Sequence, residues 1–169
     1  MQIQCFNPIA APDARILILG SMPGTASLGA NQYYAHPRNA FWYIMGAIFD
    51  AGPNKLYDKR FEILKANKVA LWDVLSTCSR KGSLDSSIEL STIVPNDFES
   101  FFKRHPFITN VFFNGSKAEE IFRRQVISTI SNKKLNYQKL PSTSPANASI
   151  SFQDKLMAWE KSIKIALSL

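Results

Sequence analysis

The sequence predicts an α/β protein: three layers, α/β/α, around a central, mainly parallel four-stranded sheet. Two observations carry this. Short runs rich in Ile, Leu, Val and Phe recur along the chain, and such runs are how strands covered on both faces read. Segments with apolar residues at helical spacing separate them, so strand alternates with helix, the pattern of a parallel sheet with crossover helices. At 169 residues the chain is long enough for a sizeable core. No repeat or linker divides it, so residues 1–169 are expected to form one domain. Hydrophobic residues make up 46% and charged residues 20%, which excludes disordered and fibrous classes.

The elements follow in order. Arg15 to Gly20 is an apolar run ending in Gly, a buried strand. From there to Pro37 the chain carries Pro23, Gly24 and Gly29 and reads as one long loop, and long loops are usually functional. Arg38 to Asp50 places Phe41, Ile44, Met45, Ile48 and Phe49 at helical spacing, stopped by Gly52-Pro53. Leu56 to Asn67 is a second helix. Val69 to Leu75 is a strand containing Asp73, followed by a polar loop, Ser76 to Ser87. Pro95 is expected to open a helix through Arg104, since its missing N–H costs nothing in a first turn. Ile108 to Phe113 is a third strand, running through Asn114-Gly115 into a helix from Lys117 to Ile127. Tyr137 to Leu140 is a short fourth strand, Pro141 to Ser149 a loop, and Ser151 to Leu167 the closing helix. In such sheets a ligand binds at the carboxyl ends of the strands. The segments Gly20–Gly24, Asn114-Gly115 and Pro141–Asn147 all leave strands at that end, with Asp73 beside them.

Charge points to the partner. The formal net charge is +7 and the pI near 9.5, a balance suited to a polyanion, chiefly nucleic acid. Lys117, Arg123, Arg124, Lys133, Lys134 and Lys139 gather in one segment against Glu119 and Glu120. No apolar run is long enough to span a bilayer, and Met1 to Pro8 lacks a basic, then apolar, leader. Cys5 and Cys78 are too few for a disulfide framework or a cysteine metal cluster, and read as reduced thiols of a cytoplasmic, monomeric protein. The two histidines, His36 and His105, have no carboxylate at ligand spacing, so neither metal nor cofactor is expected.

The loop Gly20-Ser-Met-Pro-Gly24 lacks the glycine spacing of dinucleotide folds and the Lys of a P-loop. Beyond it, Gln32 to Trp42 crowds Tyr33, Tyr34, His36, Arg38 and Asn39 just before a helix. Phe41 and Trp42 suit a core. Tyr33 and Tyr34, in a loop, suit a platform on which a base can stack. Gly20–Gly24 followed by Tyr33-Tyr-Ala-His-Pro-Arg-Asn-Ala-Phe-Trp42 resembles the first motif of the mismatch-specific branch of the uracil-DNA glycosylase superfamily. It is closer still to the DNA-deoxyinosine (hypoxanthine) glycosylase family. Leu71 to Leu75 resembles that superfamily's base-reading strand, Phe112 to Lys117 its Asn-Gly-Lys strand end, and Leu140 to Asn147 its minor-groove loop. In one respect the chain departs: the mismatch-specific branch carries an Asn where this chain has Met22, and a thioether can neither position water nor polarise a base.

The resemblance implies a uracil-DNA glycosylase-like fold and a monofunctional enzyme acting on DNA that contains a deaminated base, most readily hypoxanthine. It would flip the base out, hydrolyse the N-glycosidic bond and leave an abasic site. The catalytic role falls to Asn39 in the His-Pro-x-Asn segment, orienting water, although Asn39 also suits a helix cap. Tyr34 would stack on the base and Asp73 accept its N1–H. Asn114 or a backbone N–H would donate to O6, with Ser21 and Met22 shaping the pocket. Gly20, Pro23, Gly24 and His36 would approach the DNA. Ser142, Thr143 and Ser144 would contact phosphates, and Pro145, Ala146 and Asn147 would supply a wedge. Other readings stay open: a uracil, xanthine or mismatch-specific glycosylase, or a non-catalytic nucleic-acid-binding member of the fold.

Overall fold

The computed structural model describes residues 1–131 and 134–169. In chain order its elements are β1 (Gln2–Gln4), β2 (Ile16–Gly20), α1 (Thr25–Ala30), α2 (Phe41–Phe49), α3 (Tyr57–Ala66), β3 (Val69–Asp73), β4 (Leu75–Ser79), β5 (Val94–Pro95), α4 (Phe98–Arg104), β6 (Asn110–Asn114), α5 (Ser116–Gln125), β7 (Asn136–Leu140) and α6 (Phe152–Leu167). The central sheet has the order β3-β2-β6-β7, every pairing parallel. Pleating sends alternate side chains to opposite faces. Ile16 and Ile18 of β2 join Phe41, Ile44, Leu64, Trp159 and Ile163 on one side. Leu17 and Leu19 join Phe98, Phe101, Ile121 and Phe122 on the other. Helices α2, α3 and α6 thus cover one face and α4 and α5 the other, giving the expected three layers. Each fully buried Ile, Leu or Phe stabilises the fold by about 1.5–3 kcal/mol.

Register sets up the site. Gly20 lies beside Asp73 across β2 and β3, and Asn114 beside Leu140 across β6 and β7. The carboxyl ends of four strands therefore finish at one level.

Several local expectations are corrected. A second, antiparallel sheet of order β1-β4-β5 flanks the first. Its β4 occupies the start of the segment expected as a polar loop. Only Leu75 and Cys78 of β4 are buried, so a strand with one wet face, written in Ser and Thr, resembles a loop. The stretch after Gly20, expected as one long loop, contains α1, six residues ended by Asn31 in the left-handed region, too short to show a period. Pro95 ends β5 instead of opening α4. That helix starts at Phe98 because Asp97 caps it, accepting the Ser100 N–H at 3.1 Å. The closing helix begins as expected, with the Ser151 hydroxyl accepting the Asp154 N–H at 3.1 Å. The basic segment is largely self-neutralised on α5, where Lys117 and Arg124 face Glu120 and Arg123 faces Glu119. Lys133 lies outside the described residues.

Candidate active site

Asp73 ends β3 pointing into a cavity of about 160 Å³ at the carboxyl edge of the sheet. It is 3% exposed, and its Oδ2 has no hydrogen-bond partner. Burial first, then the Asp85 charge, opposed by Arg80, pushes its carboxyl up to about 7. Beside it lies the Tyr34 hydroxyl. The absence of a side chain at Gly20 permits this approach: a Cβ there would lie 2.6 Å from Asp73 Oδ1 and 2.9 Å from the Tyr34 hydroxyl. Tyr34 is held in the left-handed region, φ 52°, a conformation costing about 1–2 kcal/mol for a residue with a side chain. Its ring rests on Phe41, centroids 4.1 Å apart. Burial and the Asp73 charge raise the Tyr34 pKa far above its usual value, so the phenol stays a neutral donor. The Asn114 amide is close enough to draw that pKa back a little but makes no hydrogen bond of ordinary geometry with the hydroxyl. The pocket floor therefore holds an unpaired acceptor and an unpaired donor side by side. Unpaired buried polar atoms are costly, and a ligand that satisfies both relieves that cost.

The opposite wall is built from the turn before α2 and the loop after β7. Asn39 lines the pocket while its Oδ1 accepts the Phe41 N–H at 3.0 Å. It is not the cap of α2, a position held by Ala40 with no side-chain bond. Its bond two residues on is an Asx turn, and it fixes which way the amide faces. His36 also lines the pocket, its Nδ1 accepting the Arg38 N–H at 3.1 Å. Thr143 joins the two sides. Asn114 Nδ2 donates to its hydroxyl at 2.9 Å, its own N–H donates to Asn114 Oδ1 at 2.9 Å, and its carbonyl accepts the Ala40 N–H at 2.9 Å.

A family model for the uracil DNA glycosylase superfamily matches residues 8–162. This chain belongs to the uracil DNA glycosylase superfamily. It is 40% identical over 121 residues to a Methanosarcina barkeri protein named hypoxanthine DNA glycosylase, covering 71% of this chain and 75% of that one. It is 36% identical over 159 residues to a protein of the same name from Methanosarcina acetivorans, covering 92% and 94%. The solution NMR structure of a candidate uracil DNA glycosylase from Methanosarcina acetivorans superposes with a TM-score of 0.80 at 32% identity, over 98% of this chain and 99% of that one.

Within this superfamily member, most of the residues singled out from the sequence meet at one pocket. Gly20, Ser21, Met22, Pro23 and Gly24 form one wall, and Tyr34, His36, Asn39, Asp73 and Asn114 line the rest with Ser142, Thr143, Ser144 and Pro145. Ala146 and Asn147 stand outside it. The Asn147 amide instead donates to the Ser142 carbonyl at 3.1 Å and closes its own loop. Other assignments change with the geometry. Tyr33, expected beside Tyr34 as an open platform, is buried at 3% exposure, with its hydroxyl on the Asn7 carbonyl at 2.9 Å. Thr143 is 1% exposed and internally bonded, so of the three hydroxyl residues only Ser142 and Ser144 remain near the surface. Met22 is buried among the apolar residues on the α4–α5 face.

Sequence reasoning missed Asp85 and Arg80 of this superfamily member. Both come from the stretch between β4 and β5. Asp85 lines the pocket and accepts the Ser21 hydroxyl at 2.6 Å. Burial raises its pKa, while the Ser21 bond, Arg80 and Lys117 lower it. Arg80 is 2% exposed, donates to the Gly82 carbonyl at 2.9 Å and to the Pro23 carbonyl, and leaves Nη1 unpaired. A polar run with a glycine gives no sign that its charges turn inward.

Proposed function

We propose that this protein is a monofunctional DNA glycosylase that releases hypoxanthine from DNA and leaves an abasic site. The carrying observation is the unpaired pair on the pocket floor, the acceptor Asp73 Oδ2 and the donor Tyr34 hydroxyl. Hypoxanthine presents N1–H beside O6, a donor next to an acceptor, and meets both. Adenine presents a bare N1 beside an amine, so the ionised form of Asp73, which prevails above about pH 7, meets it lone pair against lone pair. Cytosine is mismatched in the same way. The pocket edge therefore favours hypoxanthine over adenine and uracil over cytosine, whereas guanine shares the N1–H beside O6 and its exclusion falls to the shape of the pocket. Uracil and xanthine share the N–H and C=O edge. The names of the Methanosarcina relatives favour hypoxanthine among these.

The cavity accepts a base only after it leaves the stack. Asn39 then orients a water toward the anomeric carbon, using the amide orientation that Phe41 fixes. The Tyr34 hydroxyl donates to O6 more strongly as the departing base gains negative charge, an electrostatic contribution made mainly in the transition state. Because its hydroxyl meets the edge of the base, Tyr34, its ring backed by Phe41, serves as the donor and not as a stacking surface, and the Gly20–Gly24 backbone approaches the sugar. The protein works as a monomer.

The test is a panel of oligonucleotides carrying hypoxanthine, uracil, xanthine or ethenocytosine, read as alkali-labile cleavage. Hypoxanthine is expected to be released fastest, and Asn39→Ala to lose about 10²-fold or more of the rate. Stoichiometric binding with no abasic product from any base would leave a binding protein, not an enzyme.

A further inference from the structure

Hydrolysis needs something the roles assigned so far do not provide, a group that takes the proton from the attacking water. An amide such as Asn39 orients water but accepts no proton near neutral pH. His36 spends Nδ1 on the Arg38 N–H, so its Nε2 carries the ring proton. Asp73 lies against the base edge on the pocket floor. Met22 is apolar. The remaining group is Asp85. Its Oδ1 is held by the Ser21 hydroxyl at 2.6 Å. Its Oδ2 takes no hydrogen bond from the described residues, and Asp85 is one of the residues that line the pocket.

We infer that Asp85 is the general base of this enzyme and Ser21 the residue that positions it, which rests on the glycosylase reading above. The water oxygen forms a bond to C1′ as the C1′–N9 bond breaks, and the bonding pair leaves with the purine. Asp85 takes one water proton. That proton then passes through solvent to the purine anion, giving neutral hypoxanthine, a C1′ hydroxyl and a regenerated carboxylate. Ser21, at the turn after β2, and Asp85, 64 residues further on, meet only in the folded chain, where the Ser21 hydroxyl donates to Asp85 Oδ1 at 2.6 Å. Facing Asp85 are Asp73, Arg80, Lys117 and Tyr34, and the first three set the charge environment in which it titrates.

The test is single-turnover release, measured against pH on whichever base of the panel the unmodified protein releases, for Asp85→Asn and Ser21→Ala. Asn keeps an acceptor for Ser21 but cannot take a proton. Asp85→Asn is expected to slow release by about 10²-fold or more, to leave affinity for the DNA within about twofold, and to abolish the rise in rate with pH that ionisation of Asp85 produces. Ser21→Ala removes a bond that lowers the Asp85 pKa, so its rise in rate is expected to move to higher pH. That shift also tests the assignment if Asp85→Asn fails to fold. An Asp85→Asn rate and pH profile like the unmodified protein's, or an unmoved profile in Ser21→Ala, would overturn the assignment while leaving the glycosylase reading intact. No release of any base by the unmodified protein would overturn the glycosylase reading itself.

Discussion

At the scale of single residues, Asp73 shows how a site is maintained against stability. A carboxyl raised from 3.8 to about 7 binds its proton more tightly folded than unfolded. Below about pH 4 both states are protonated and Asp73 makes no difference. As pH rises from about 4 to 7 the unfolded chain sheds the proton first, so stability falls, by up to about 4 kcal/mol above pH 7. Asp73→Asn is expected to remove that loss: its melting temperature should match the unmodified protein's near pH 4 and exceed it at pH 8. Equal melting temperatures at pH 8 would contradict this. The same substitution should lower the ratio of hypoxanthine to uracil release, since an amide both accepts and donates. Asp73 was legible from the sequence because it is a charge inside an apolar strand. Its neighbour Asp85 was not, because nothing local distinguishes a buried aspartate in a polar run from a solvated one.

At the scale of elements, the loop after β7 is held by packing more than by its own composition. Helix α6 reaches under it, and the Trp159 indole N–H donates to the Pro141 carbonyl at 2.9 Å while its ring is fully buried among the residues of the α2–α6 face. Gly115, at φ 93°, comes so close that a Cβ would lie 3.0 Å from Ser142 Cβ. Trp159→Phe keeps most of the apolar packing and loses the bond, so denaturant titration should show a loss of about 1–3 kcal/mol at an unchanged m-value. An unchanged midpoint would show that the loop is held by Thr143 and Gly115 alone. Helices α2 and α6 were readable from apolar residues at helical spacing, and the strands of the main sheet from short apolar runs, β7 least so, since only its Leu140 is buried. The short ones, α1, β1, β4 and β5, take their form from partners distant in sequence, as β4 does by pairing with β1 through Ile3 and Cys78.

At the scale of the whole molecule, net charge and its placement differ in meaning. The total of +7 pointed to nucleic acid, but α5 neutralises much of the basic segment through its own glutamates. Arg38 and Lys81, both exposed, flank pocket residues Asn39 and Ser83, and they are the better candidates for holding phosphates. The double variant Arg38→Ala, Lys81→Ala is expected to reduce the slope of log affinity against log salt by about 1.8, close to 0.9 for each phosphate no longer neutralised. A slope unchanged from the unmodified protein would move the DNA path elsewhere. The layered α/β architecture, the superfamily resemblance and most of the pocket's members could be read from the order of residues. Apolar periodicity and motif order are properties of neighbours along the chain, so they are visible there. The meeting of Tyr34 and Asp73 over Gly20, the mutual satisfaction of Thr143 and Asn114, and the bond between Asp85 and Ser21 came from folding. Those depend on which atoms approach across strands and loops, and on which polar groups are left unpaired once water is excluded.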